Sequence, residues 1–169
     1  MEILTAQWLH KKSACSEARE KFKEYKGPKD IPTIIAGCIK NNYLDWVNWL
    51  IVRVLSKQDT IRYAVYAAKQ VVHIYEAYHP GDMRPRNAIK AAIAVLKNPT
   101  GKNKLATADA AEAADAAAYA AYAADAAYAA DVAYAAYAAY YAAYYAADNA
   151  ELKIKIIRYG LKLYKKSLA

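Results

Sequence analysis

An all-α protein is the fold class that this sequence predicts, on three observations. Alanine and other good helix formers dominate its 169 residues, and alanine has the highest intrinsic helix propensity. Five Gly and five Pro are too few for the tight turns of a β-sandwich or barrel. Apolar residues also recur at helical spacing in one segment after another. The length suffices to bury a core, so the expectation is a single helical domain over residues 1–169.

The elements follow in order. "SACSEAREKFKEY" reads as a first helix, with Ser13 or Ser16 as its cap and Gly27-Pro28 as its stop. In "DIPTIIAGCIKNNYLDWVNWLIVRVLS", Asp30 is an N-cap candidate and Pro32 falls in the first turn. "KNN" makes a break, after which Leu44, Val47, Leu50, Ile51 and Leu55 recur at helical spacing. Asp59 opens a longer helix that Pro80-Gly81 ends, and "RPRNAIKAAIAVLK" runs from Pro85 to Asn98-Pro99. The last helix, 151–168, is basic and amphipathic, with Gly160 as a weak point.

Between these lies "AAYAADAAYAADVAYAAYAAYYAAYYAAD". Nothing from Thr107 to Asn149 breaks a helix, so a spine helix over about 107–149 is expected rather than low-complexity coil. Three residues turn an α-helix by about 300°, so the Tyr and Asp of each Ala-Ala-X triplet spiral around it. Roughly 40 residues as one rod would run about 60 Å, which makes it a spine for the other helices unless it folds back as a hairpin.

Charge narrows the function classes. The net charge is +8, yet residues 105–149 hold six acids and no Lys or Arg, leaving 24 basic against 10 acidic residues elsewhere. Such a surplus favours anionic partners. Cys15 and Cys38 lack disulfide or metal spacing and read as small buried hydrophobes of a reducing compartment. "WVNWLIVRVL" is about half a membrane span, and the start carries no signal pattern. A cytoplasmic protein with no membrane partner is expected.

No catalytic group emerges. The three histidines stand apart from other ligands, and there is no P-loop, dinucleotide fingerprint or nucleophile elbow. Neither an enzyme, a cofactor nor a metal is expected. Trp46 and Trp49 share a helical face near Asp45 and Arg53, which reads chiefly as aromatic core with an ion pair. Arg84 and Arg86 flank a helix start, where free amides and guanidiniums suit a carboxylate or phosphate. The plain alternative is a salt bridge to Asp45 or to an acid of the alanine segment. The candidate ligand-binding set is therefore Arg84 and Arg86 with Tyr137, Tyr141 and Tyr144 from the densest tyrosine cluster.

"DWVNWL" (45–50), "RPRNAI" (84–89) and the Ala-rich run, in that order, resemble the immunity protein 5-like domains of phages and bacteria. The resemblance implies a non-catalytic all-α protein that neutralises a target, in the host cytoplasm if phage-encoded. The tyrosine load and basic surplus depart from that pattern. The first functional expectation is an anti-defence sponge that sequesters a nucleotide-derived signal, rings stacking on its base and arginines holding its phosphates. The second is an immunity protein covering a toxin or defence protein through Tyr, Trp and Arg. A nucleic-acid binder using "KIKIIRYGLKLYKK" ranks below both, because that segment is accounted for as a packing helix. An ice-binding rod is disfavoured by the spiral of side chains. A second copy covering the alanine face would make a homo-oligomer.

Overall fold

The structure, a computed structural model, describes residues 3–78, 80–103 and 150–168. The expected spine helix lies outside the described residues. Seven helices are delimited among those described: α1 (Ala6–Lys11), α2 (Ser16–Glu24), α3 (Ile31–Lys40), α4 (Leu44–Val54), α5 (Lys57–Tyr78), α6 (Arg84–Lys97) and α7 (Ala150–Ser167). The described residues form no strand beyond an isolated bridge between Ile3 and Asp30. The fold is all-α.

Local chemistry sets most boundaries. Asp30 caps α3 by accepting from the Thr33 amide at 3.0 Å, with Pro32 in the first turn. Ser56 and Asp59 cap α5 reciprocally: Ser56 Oγ accepts from the Asp59 amide at 3.1 Å and donates to its carboxylate at 2.8 Å. Asp59 thus sits in the first turn, and the helix starts two residues before the position expected. The six-residue α1 precedes the first helix that the sequence predicts; it begins where Thr5 accepts from the Trp8 amide.

Two helices end alike. Past α1, Ser13 adopts φ 58° while its amide reaches His10 O and that of Ala14 reaches Leu9 O. Past α3, Asn42 adopts φ 60° while its amide reaches Ile39 O and that of Tyr43 reaches Cys38 O. Both are Schellman closures, which return orphan carbonyls their donors. Ser13 therefore stops α1 instead of starting α2. The residue before α2 is Cys15, whose side chain makes no capping bond and is exposed, contrary to the burial expected of it.

α5 is the element buried on two sides. Tyr63, Ala67 and Val71 face a core shared with α3, α4 and α7. Ile61, Ala64, Val65, Ala68 and Val72 face α6, where Ala88, Ile89, Ala92 and Val95 meet them. Alanines on both faces let the helix axes approach closely. α7 closes the first core with buried Ile156, Ile157, Gly160 and Tyr164. Its seam with α5 includes Tyr159 stacked on Tyr66, centroids 4.0 Å apart.

Candidate functional site

The predicted anion site at the start of α6 is filled from within the chain. Asp82 accepts from the Arg84 amide at 3.0 Å, so its carboxylate takes the place at the helix start that favours an anion. The same carboxylate receives the Arg84 guanidinium, with Nη2 at 2.6 Å. Arg86 forks onto Glu76, its Nη2 donating at 2.7 Å and its Nε to the other carboxylate oxygen. That bond holds the Glu76 carboxyl below the ordinary carboxylate range and raises Arg86 in turn. The ion pairs foreseen as the alternative exist, but their acids are Asp82 and Glu76. Asp45 instead meets Lys153 of α7 at 3.6 Å. Tyr137, Tyr141 and Tyr144 lie outside the described residues.

Of the two tryptophans read as aromatic core, Trp49 packs against the main core from its margin, whereas Trp46 does not. Trp46 and Trp49 are both half-buried. Trp46 stacks on Tyr43 with centroids 4.3 Å apart and planes 16° from parallel. Trp49 meets the edge of Trp8 at 6.2 Å, while the Arg53 guanidinium lies 4.1 Å from its centroid. Arg53 forms no ion pair with Asp45; it donates to Trp49 O at 3.1 Å and covers the ring.

These rings wall a cleft of about 420 Å³ between the α1–α2 hairpin and the α3–α4 hairpin. Phe22 and Tyr25 stand on one side, Tyr43, Trp46 and Trp49 on the other, with Leu4, Val47 and Leu50 among the apolar lining. Besides the two tyrosines, polar lining residues are few: Thr33, Asn41, Cys38, and Lys21 beside Glu24 at the exposed rim. Burial raises the Cys38 thiol pKa, so it stays protonated at neutral pH. Two cations outside the lining stand over rings of the wall. Lys29 Nζ stands 4.8 Å from the Phe22 centroid, and Arg53 backs Trp49.

Gly37 of α3 also lines this cleft, and a Cβ built there would meet no atom within 4 Å. A volume of this size, with apolar walls and few polar groups, has the form of a small-ligand site. The sequence signal that could have found it is the recurrence of aromatics in "KFKEY" and "NNYLDWVNWL" on helices flanking short turns. Among the described residues no cluster of His, Cys, Asp or Glu could hold a metal, and no helix is long and apolar enough to cross a membrane. No protein-family model matches the chain, and neither a curated protein nor a solved structure is significantly similar to it.

Proposed function

We propose that this is a non-catalytic binding protein of the anti-defence kind, which neutralises its target by holding it in the aromatic cleft. The observation that carries the reading is five rings around about 420 Å³, with Lys21 in the lining and Lys29 and Arg53 over the Phe22 and Trp49 rings. Flat rings offer stacking faces to a heterocycle, each worth about 1–3 kcal/mol for a stacked base. The flanking cations suit an anionic tail. A nucleotide-derived signalling molecule combines both features, and sequestering one requires no reacting group. Arg84 and Arg86 support this role less well, because an incoming anion would have to displace Asp82 and Glu76.

Calorimetric titration with cyclic nucleotides and ADP-ribose-type molecules tests the reading. Binding is expected in wild type and is expected to be lost in Gly37→Leu, whose side chain would enter the empty space without straining α3. Retained binding in Gly37→Leu, with loss in Arg86→Ala, would return the site to the start of α6. Absence of any such binding by wild type would favour the protein-partner reading instead.

A further inference from the structure

α7 has a second face that the packing of the described residues does not use. Its inner residues meet α4 and α5, while Lys155, Arg158, Lys162, Lys165 and Lys166 are all exposed. Their spacing of three and four residues puts them in one row, about 16 Å long at 1.5 Å per residue. Glu151, in the first turn, is the helix's one acid, and the sequence beyond it contains none. None of the five cations has an ion-pair partner among the described residues, in contrast to the half-buried Lys153, which is paired with Asp45.

A solvated outer face needs polarity, and mixed signs supply it without self-repulsion. Like charges at i and i+3 or i+4 destabilise a helix slightly, so a one-signed row stands out as matched to something of opposite sign. Its exposed positions before Leu168 hold no aromatic or large apolar side chain that would enter a bilayer. Interfacial helices bury an apolar face in the lipid, and here that face is already spent on the core. The row also lacks Asn and Gln, the side chains that pair with adenine edges. It is a line of point charges at turn-by-turn intervals.

We propose that the exposed face of α7 is a contact surface for the phosphate backbone of nucleic acid, without sequence preference. Amphipathic packing explains the inner half of "KIKIIRYGLKLYKK"; this surface is the outer half. The five cations neutralise up to five phosphates and release their counterions. The binding constant for duplex DNA should then fall with a log–log salt slope of about −4 to −5, or about 10²- to 10³-fold between 50 and 200 mM salt.

The test is fluorescence anisotropy with a labelled random-sequence 20-base-pair duplex and a 20-nucleotide single strand, beside vesicles containing phosphatidylserine. The triple variant Lys155→Gln, Lys162→Gln, Lys165→Gln removes surface charge only, and its helical dichroism and melting temperature should match wild type. Its salt slope on the duplex is expected to drop by about 2.7. A control triple with the same charge change, Lys23→Gln, Lys26→Gln, Lys97→Gln, should keep most of the binding. Equal losses in the two triples would reduce the effect to bulk charge and overturn the proposal. So would absence of binding to either nucleic acid at 50 mM salt, or binding to the vesicles alone.

Discussion

Gly160 of α7 lies so close to Tyr63 of α5 that a Cβ at 160 would stand 2.8 Å from Cε2 of the ring. It would also stand 2.6 Å from Ile51 Cγ2 in α4. Three helices meet at this point, and the glycine is what lets them meet. The sequence alone marks Gly160 as a weakness in its helix; the packing makes it the position that fixes how deeply α7 sits. Replacing a helical glycine by alanine ordinarily stabilises by about 0.5–1 kcal/mol, but overpacking a filled core costs about 1–3 kcal/mol. Since Tyr63 and Ile51 are wholly buried, we expect Gly160→Ala to lose about 1–2 kcal/mol in urea unfolding. A gain in stability would mean that both neighbours give way.

Tyr63 is also held at its far end. Its hydroxyl donates to Asn48 Oδ1 at 2.6 Å inside the core, and Asn48 Nδ2 is buried with no hydrogen-bond partner among the described residues. Tyr63→Phe should cost about 1–3 kcal/mol, because it leaves a buried acceptor unmet. Adding Asn48→Leu should recover much of that loss, which a double-mutant cycle would read directly.

The same phenol sets an alkaline limit. Burial pushes the Tyr63 pKa well above its ordinary 10.0. In the unfolded chain the group ionises near that value, whereas the folded protein keeps the proton. Above about pH 10 the unfolded state therefore binds fewer protons, and the stability present below that pH falls as pH rises. Equilibrium unfolding from pH 8 to 11 should show this fall, and Tyr63→Phe should make it shallower.

Trp49 is expected to be partly structural. Its ring touches Trp8 and Arg53 yet remains half-buried, so Trp49→Ala should cost about 2–3 kcal/mol, toward the low side of full burial. Thermal melts decide this. A loss under about 1 kcal/mol would make the ring chiefly a wall of the cleft.

Ser13 holds a left-handed conformation at φ 58° that glycine adopts without the steric penalty of a side chain. Ser13→Gly should therefore raise stability by about 0.5–1 kcal/mol. A lower melting temperature would show that the serine side chain contributes to the turn after α1.

What the sequence reveals and what it hides divide along the range of the forces involved. Asp30, Pro32, Asn41-Asn42 and Asn98-Pro99 act on their own backbone within a few residues, and the boundaries they predict for α3, α4 and α6 are found. α1 escapes notice because six residues are too few to display a period. Arg84 and Arg86 pair with Asp82 and Glu76, and nothing local to the two arginines distinguishes those acids from Asp45, an acid of the alanine segment or a ligand. The cleft is further still from the sequence. It exists because two hairpins stand apart, and that distance is set by packing in the core beneath them. Cys15 is exposed because low polarity alone does not bury a residue that precedes a helix at the surface.

The bond from the Leu4 amide to Lys29 O, 2.9 Å long beside the Ile3–Asp30 bridge, joins the two feet of the α1–α2 hairpin. The backbone from residue 4 to residue 29 is thereby closed into a ring. A segment tied at one end frays progressively from the other; a ring has no loose end from which to fray. The whole arm must lift as a cooperative unit or not at all. The hydrogen-bonded amides of α1 and α2 should consequently show one shared free energy of opening, that of the Leu4 amide. That single value would measure how large a fraction of the time one wall of the cleft stands away from the other.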